Sequence, residues 1–349
     1  MNKDDICREI VDKISDLSYS KLHEIHEMLI YKKYISGITK ISVYTKDNQK
    51  IILLYDIHHN KDTCKNLNYD DKTYESVSTW LLNLIKTKRR PFIDLFLEYR
   101  ISSSKFSFDD KLKFIVTSTS VNHDLSIINF NLKNCLNLDL DVKCIYDNIR
   151  VHWADIRLNF DLYIITYRLS KSGILTKKQK ELVNSLIDNP FDYYNRLLSV
   201  RKIKKQIENI DQVTYNHINT FYHDYIGKLR TTYIESRMRR LDKFMYVSYL
   251  NNLPMDLYLT LRLFRSFKTH ISTKNHPNEI NTAIIYAGGH HCRVYENLLL
   301  QLKFRELFIS GDFIEETTDS FSDILTGKNI KSSQCVDIGS INMLNEIIL

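Results

Sequence analysis

Residues 51–55 form an unbroken apolar run, which ends abruptly in Asp56, Ile57, His58 and His59. A strand with one exposed face alternates apolar and polar residues, whereas an unbroken run is typical of a strand buried on both faces. Such strands occur in parallel sheets that are covered by helices. We therefore expect an α/β fold, with a mostly parallel sheet flanked by helices.

Two further segments support this sheet. The spacing of apolar residues predicts a helix over 73–86, which Pro91 terminates before a second buried strand over 92–97 and the polar residue Glu98. A strand, a crossover helix and another strand form a βαβ unit, in which the two strands run parallel. A third core strand is predicted over 282–286.

The remaining segments are predicted to be mostly helical. A strand over 41–44 precedes the run at 51–55 and forms a hairpin or an adjacent strand with it. Four parts are predicted along the chain: an N-terminal helical segment (1–36), the first part of the α/β core (37–150), a large helical insertion or subdomain (151–275), and the C-terminal part of the core with a tail (276–349). Candidate breaks within the helical region are Gly173, Pro190, Gly227 and Pro254.

The charge balance argues against several classes of protein. The 349 residues carry 49 basic and 42 acidic side chains, a net charge of +7, which is too small an excess to indicate nucleic acid as a partner. The basic clusters at 86–90, 201–205 and 237–240 could make a phosphate-binding face, but we interpret them first as solvated helix faces because acidic residues are interspersed. P-loop, GxGxxG, GxSxG and HExxH motifs are absent, which disfavours P-loop NTPases, dinucleotide-binding dehydrogenases, serine hydrolases and zincins.

The six cysteines contain no CxxC pair, and this pattern favours a reducing compartment. No apolar run approaches the ~18 residues of a membrane-spanning helix, so membrane insertion is not expected. The N-terminus has no basic segment followed by an apolar stretch, which disfavours secretion. Cys292 is interpreted as a small buried residue at the start of a helix rather than as a nucleophile.

Polar residues follow each of the three predicted core strands. The carboxyl ends of parallel strands lie at one edge of a sheet, where open α/β proteins bind their ligands. We therefore expect a shared polar site at this edge. Its candidate members are Asp56, His58 and His59 after the first strand, Glu98 after the second, and His290 and His291 after the third.

Three of these residues, His59, Glu98 and His291, are candidates for both metal binding and catalysis. Imidazole and carboxylate groups are ordinary ligands of divalent ions such as Zn or Mn, and a bound ion lowers the pKa of its water. The same residues could act without metal, with a histidine as general base and Glu98 as an acid or as the group that orients the histidine. His58 and His290 would then support the site or contact substrate. Alternatively, one histidine of each pair caps a helix and the other faces solvent.

A second candidate cluster follows residue 150. If a helix has begun by His152, then His152 and Asp155 lie on one helix face and could bind a metal or a substrate together. Arg157 could clamp a carboxylate or a phosphate group. A capping and ion-pair arrangement at the start of the helical region remains an equal alternative.

The elements at 56–59 and 288–291, each after a buried strand, resemble together with Glu98 the paired GxxH elements and glutamate of the TraB/TIKI and ChaN/erythromycin-esterase-like superfamily. Gly288 and His291 fit GxxH directly, whereas Asp56 stands where the first glycine would be. The segments at 284–291 and 150–157 are also similar to uncharacterised proteins of large DNA viruses.

This resemblance implies an α/β core with a metal-assisted or acid/base hydrolytic site. Members of the superfamily include a metal-dependent protease, ester-cleaving enzymes and haem-binding proteins. We therefore expect a metal-dependent or acid/base hydrolase-like viral protein of the host cytoplasm or virion, with substrate and oligomeric state open. The alternative is a non-enzymatic interaction or virion protein with a degenerate site.

Overall fold

The computed structural model places the three predicted core strands side by side in one sheet. It describes residues 33–57, 64–65, 67–69, 73–86, 91–98, 128, 132, 146, 148–157, 162, 165–166, 175–235, 240–267, 276–313, 333–339 and 341–348. The strands are β1 (Tyr34–Ser36), β2 (Lys40–Lys46), β3 (Gln49–Asp56), β4 (Tyr74–Ser76), β5 (Ile93–Leu97), β6 (Ile149–Trp153), β7 (Thr282–Gly288), β8 (Arg305–Gly311) and β9 (Cys335–Asp337). The helices are α1 (Val77–Lys86), α2 (Lys177–Asp188), α3 (Pro190–Ser199), α4 (Arg201–Ile207), α5 (Gln212–Glu235), α6 (Arg240–Leu263), α7 (Gly289–Gln301) and α8 (Ile341–Ile348).

Within the described residues, the main sheet has six strands in the order β6-β5-β7-β3-β2-β8. Strands β6, β5, β7 and β3 run parallel to one another, and β2 is antiparallel to both β3 and β8. The predicted fold class is therefore confirmed as an α/β fold with a mostly parallel sheet flanked by helices. Strands β3 and β5 are parallel, as the βαβ prediction requires, but β7 lies between them.

The side chains of β3 alternate between two apolar layers. Ile51, Leu53 and Tyr55 are buried in the layer formed by the helical region and α7, whereas Ile52 and Leu54 are buried in the layer that contains α1 and α8. Both faces of the strand are buried, and this explains why apolar and polar residues do not alternate in its sequence.

The hairpin of β2 and β3 was predicted correctly. Lys46 lies opposite Gln49, so the loop consists of Asp47 and Asn48 alone. Asp47 has φ of 51°, in the left-handed region that aspartate adopts more readily than most residues. The turn sets the register of the two antiparallel strands.

A second, smaller sheet has the strand order β4-β1-β9. Its strand β1 falls in the segment 1–36 that the sequence predicted to be helical, and the prediction is wrong for residues 34–36; residues 1–32 lie outside the described part of the chain. Cys64 and Cys335 form a disulfide beside this sheet, where Cys335 lies opposite Ser36. The cysteine pattern did not indicate this bond, and disulfides are more usual in oxidising compartments than in the reducing compartment that the pattern favoured.

The helical region packs on one face of the main sheet. Pro190 is the first residue of α3, so the predicted break there is correct. Gly227 lies inside α5 and Pro254 inside α6, and neither ends its helix. Burial of Leu250 and Leu257 on either side of Pro254 holds α6 together despite the missing backbone N–H. Gly173 lies outside the described residues.

Strand β6 was not predicted, and the proposed boundary at 150/151 falls inside it. Three residues of the supposed helical insertion, 151–153, therefore belong to the sheet. No helix in the described part of the chain is long and apolar enough to span a membrane.

Candidate functional site

The carboxyl ends of the parallel strands meet at one edge of the sheet, as expected from the sequence. Asp56 at the end of β3 lies opposite Gly288 at the end of β7. The backbone N–H of Glu98 donates to the carbonyl of Tyr286 at 3.0 Å, which places Glu98 beside the end of β7. Strand β6 ends next to β5. The residues that follow these strands are therefore neighbours in space.

Arg157 is the centre of a polar cluster at this edge. Its guanidinium donates to Asp155 through Nε (2.8 Å) and Nη2 (3.0 Å), and Nη2 also donates to Glu98 Oε1 at 2.6 Å. Nη1 donates to Asn252 Oδ1 at 2.9 Å. The side chains of Arg157, Glu98 and Asp155 are only 10%, 6% and 1% exposed, so these charge-assisted hydrogen bonds lie away from bulk water. The two carboxylates that Arg157 binds, those of Asp155 and Glu98, both belong to this chain.

His291 lies in the first turn of α7 and joins the cluster through both ring nitrogens. Nδ1 is 2.5 Å from Oδ1 of Asp256, which also accepts a hydrogen bond from the Tyr295 hydroxyl at 2.9 Å. Nε2 lies 3.2 Å from Arg157 Nη1 and 3.4 Å from Glu98 Oε1. We call Glu98, Asp155, Arg157, Asn252, Asp256 and His291 the Arg157 cluster.

The carboxylates around His291 favour the charged form of its ring. Burial alone lowers the pKa of His291, but the charges of Asp256 and Glu98 and their hydrogen bonds outweigh it and raise the pKa to about 9. At neutral pH, Nδ1–H then donates to Asp256 and Nε2–H faces Glu98. In the neutral ring, Nε2 would accept from Arg157 Nη1 instead. Each protonation state of His291 therefore has a partner for Nε2 already in place.

Glu98 links the end of the sheet to the start of α7. Its Oε2 accepts the backbone N–H of Gly288, the N-cap residue of α7, at 2.6 Å. A carboxylate at this position is favoured by the partial positive charge of the helix N-terminus. Glu98 is thus held by β5, α7 and Arg157 together.

His290 has a different environment from His291, although the two are adjacent in sequence. Its ring packs edge-on against Tyr249, with centroids 5.9 Å apart, and against Phe313, with centroids 5.6 Å apart. The structure thus gives one histidine of the pair to the polar cluster and the other to aromatic packing.

Cys292 is the small buried residue that the sequence predicted. Its thiol donates to the carbonyl groups of Leu54 (3.5 Å) and Ala287 (3.4 Å). Burial, together with the charge of Glu98, raises the pKa of Cys292 well above its ordinary value, so the thiolate that a nucleophile requires is disfavoured.

His152 belongs to another cluster. It lies in β6, so the prediction that it shares a helix face with Asp155 is wrong. Its Nε2 is 2.7 Å from Asp94 Oδ1, and its Nδ1 accepts from Arg262 Nε at 2.7 Å. Burial and the charge of Arg262 lower the pKa of His152 to about 3, so the ring is neutral and donates through Nε2 to Asp94. The bond from Arg262 to Nδ1 is consistent with this tautomer.

The predicted metal ligands were His59, Glu98 and His291. His58 and His59 lie outside the described residues, so the full set remains a prediction. Glu98 Oε1 already accepts from Arg157, and both ring nitrogens of His291 lie within hydrogen-bond distance of partners in the chain. Within the described ranges, no group of three or more His, Cys, Asp or Glu side chains could hold a metal ion.

Two members of the cluster, Asn252 and Asp256, were not found from the sequence. Both lie on α6, between residues such as Leu253, Met255 and Leu257 that are fully or almost fully buried. Asp256 is itself buried, and a lone carboxylate within an apolar helical stretch needs an internal partner. That signal was present in the sequence, although it does not say which partner the carboxylate meets.

The fold and the site define an α/β protein with a buried cluster of charged and polar side chains at the carboxyl edge of its sheet. No family model, curated protein or solved structure matches the chain.

Proposed function

We propose that the Arg157 cluster is the acid/base site of a hydrolase-like protein, with His291 as the proton donor and Glu98 as the proton acceptor. The observation that carries this proposal is the position of His291 Nε2 between Glu98 Oε1 (3.4 Å) and Arg157 Nη1 (3.2 Å). A group that gives up and regains a proton during turnover needs a suitable partner in both states, and His291 has one for each.

Asp256 would orient the imidazole. Its Oδ1 fixes Nδ1–H at 2.5 Å and is itself held by the Tyr295 hydroxyl. A carboxylate in this position keeps the ring in one orientation and stabilises the imidazolium, as in other sites that use a histidine for acid/base chemistry.

The proposed proton movements balance over one hydrolytic cycle. Glu98 accepts a proton from the attacking water, and Nε2–H of His291 is transferred to the leaving oxygen or nitrogen. The neutral Nε2 then accepts a hydrogen bond from Arg157. Transfer of the proton from Glu98 to Nε2, which lie 3.4 Å apart, restores the starting state. A guanidinium N–H of Arg157 would stabilise negative charge that develops on the substrate.

The alternative is a non-enzymatic interaction or virion protein, and a different observation favours it. The side chains of His291, Glu98 and Arg157 are at most 10% exposed, and each of the three guanidinium nitrogens of Arg157 donates to an acceptor within the chain. In that case the cluster holds α6 and α7 to the sheet edge. A hydrolase would need a local opening to admit a substrate.

The two functions are distinguished by assaying ester, peptide and phosphoester substrates with the wild-type chain, His291→Gln and Glu98→Gln. Loss of a general acid or base lowers the rate by about 10²–10⁴-fold, so both variants should lose nearly all hydrolysis of the preferred class. His217→Gln, an exposed position on α5, is the matched control and should keep full activity. Circular dichroism confirms that the variants are folded.

A chelator separates the acid/base form from the metal-dependent one. Activity that survives the chelator supports the acid/base site, whereas activity lost with stoichiometric metal would favour a centre that includes His59. No hydrolysis of any class above buffer, or equal hydrolysis by wild type and His291→Gln, would overturn the proposal and favour the non-enzymatic alternative.

A further inference from the structure

Three arginines surround the ring of Phe267 on the helical side of the sheet. The guanidinium carbons of Arg150, Arg265 and Arg262 lie 3.7, 5.0 and 5.4 Å from the ring centroid. Backbone hydrogen bonds from Ser266 to Asn209 (2.8 Å) and from Phe267 to Asn278 (2.6 Å) hold the segment that carries the ring. We call Phe267, the three arginines, Gln206, His152 and Asp94 the Phe267 cluster.

Positive charge exceeds negative charge in this cluster. Asp94 is its one carboxylate, and it pairs with Arg150 through two hydrogen bonds of 2.6 and 3.1 Å. His152 is neutral, because burial and Arg262 lower its pKa to about 3. Among the described residues, Arg262 and Arg265 have no carboxylate partner. Burial, together with the charges of Arg262 and Arg150, lowers the pKa of Arg265, as expected for guanidinium groups held close to one another.

Arg262 and Arg265 point donors at one neutral oxygen. Nη1 of Arg265 lies 2.8 Å from Gln206 Oε1, and Nη1 of Arg262 lies 3.4 Å from the same atom. In the described part of the chain, the Nη2 groups of both arginines donate to no protein atom. Two guanidinium groups that converge with donors to spare match the way proteins bind the oxygens of a phosphate group.

We propose that Arg262 and Arg265 bind the phosphate group of a small anionic ligand, with Arg150 adding to the positive field. The site is open to solvent, since Arg150, Arg262, Arg265 and Phe267 are all partly exposed. A bound phosphate would be an anionic partner for Arg262 and Arg265, which have no carboxylate partner among the described residues. This inference is independent of the proposed hydrolytic function, because among the described residues no hydrogen bond joins these arginines to the Arg157 cluster.

Helix α4 would attract such a ligand. It carries Gln206 and four exposed basic side chains, at positions 201, 202, 204 and 205. From the sequence we interpreted this run as a solvated helix face, and all four side chains are indeed exposed. The run belongs to the helix whose Gln206 contacts Arg262 and Arg265, so an anion meets a positive field before it reaches these two guanidinium groups.

The test is a calorimetric titration of inorganic phosphate into the full chain, at an ionic strength kept constant with sodium chloride. We expect saturable binding that weakens at least about tenfold in Arg265→Gln, since a charge-assisted hydrogen bond is lost. Arg265→Lys keeps the charge but loses the planar fork, so its affinity should lie between those of wild type and Arg265→Gln. If Arg265→Gln does not fold, the comparison of Arg265→Lys with wild type tests the proposal on its own.

Arg196→Gln is the matched control, because Arg196 is exposed on α3 and its Nε donates to its own helix. Its phosphate affinity should equal that of wild type. The assignment would be overturned if phosphate released no more heat than sodium chloride titrated in the same way. Equal phosphate affinity in wild type and Arg265→Gln would also overturn it. Tighter binding of a short single-stranded oligonucleotide than of phosphate, lost in Arg265→Gln, would replace the small ligand with nucleic acid.

Discussion

Asp256 and His291 form a buried ion pair between two helices that lie on either side of β7 in sequence. Asp256 Oδ1 and His291 Nδ1 are 2.5 Å apart, and the two side chains are 2% and 5% exposed. Asp256 belongs to α6 of the helical region, whereas His291 belongs to α7 of the core. The pair thus fastens the helical region to the carboxyl edge of the sheet.

This pair predicts a loss of stability in mildly alkaline solution. The pKa of His291 rises from 6.5 to about 9 on folding, so the folded chain binds a proton more tightly than the unfolded chain. Its contribution is complete below pH 6.5 and is lost as the pH rises through about 9. Between these limits the free energy of unfolding should fall by up to ~1.4 kcal/mol per pH unit.

Urea denaturation at pH 7, 8 and 9 measures this slope, and His291→Gln isolates the contribution of the histidine. The variant should be less stable than wild type at pH 7, and the difference should shrink towards pH 9. A difference that stays constant over this range would show that His291 does not titrate there.

Glu296 should make an opposite, acid-sensitive contribution. Lys40 Nζ (2.9 and 3.1 Å) and the hydroxyls of Tyr44 (2.5 Å) and Tyr55 (2.7 Å) all donate to its carboxylate. Burial alone raises the pKa of Glu296, but these three donors lower it below its ordinary value of 4.5. Its stabilising effect is therefore present above pH 4.5 and is lost as the pH falls through the lower folded value.

Glu296→Gln should lower the free energy of unfolding at pH 7 by about 1–3 kcal/mol, because donors are left without a charged acceptor. Thermal or urea denaturation down to pH 3 should show the variant and wild type converging. Glu181→Gln, exposed on α2, should match wild type throughout. A gap that does not narrow as the pH falls below 4.5 would contradict an ionised Glu296.

Gly289 should not tolerate a larger residue. A Cβ at this position would overlap the ring of Phe313, which is itself almost fully buried. Gly289→Ala should therefore cost about 1–3 kcal/mol of stability through overpacking. In Phe313→Leu the alanine should cost less, because the ring is gone. A double-mutant cycle measures this coupling, and additive losses would mean that Phe313 simply moves aside.

The disulfide between Cys64 and Cys335 should contribute strongly to stability. It closes a loop of 271 residues in sequence, and long loops lose the most chain entropy when they are cross-linked. Reduction by dithiothreitol should lower the free energy of unfolding by about 3–5 kcal/mol. The Cys64→Ser/Cys335→Ser double variant should have the stability of the reduced chain and should not respond to dithiothreitol. Equal midpoints for wild type with and without reductant would argue against the bond.

The sequence predicted the strands with unbroken apolar runs and missed β6. Ile149 and Val151 of β6 are buried, but Arg150 and His152 alternate with them. Asp94 on the next strand accepts hydrogen bonds from both of these polar side chains. When the polar side chains of a strand bind to a neighbouring strand, its sequence alternates like that of a half-exposed strand. Its burial can therefore be recognised only when the neighbouring strand is known.

The polar residues at strand ends could likewise be predicted only in part. Glu98 and His291 follow buried strands, and the parallel arrangement brings such residues together. Asp256 completes the site from α6, whose position on the sheet is set by tertiary packing that no local pattern encodes. Which of His290 and His291 faces the Arg157 cluster depends on where α7 begins. A helix that began one residue earlier or later would turn the other histidine towards the cluster.

The position of β7 also has a consequence for how the chain folds. Its neighbours in the sheet, β3 and β5, precede it by about two hundred residues, and Lys50 must find Thr282 before the parallel ladder can form. Contacts of such long range form slowly, because the intervening chain has to be ordered first. During synthesis, β3 and β5 are made long before the strand that joins them. The sheet edge and its Arg157 cluster therefore assemble late, after the helical region has emerged, and a nascent chain that ends before residue 282 lacks the centre of its own core.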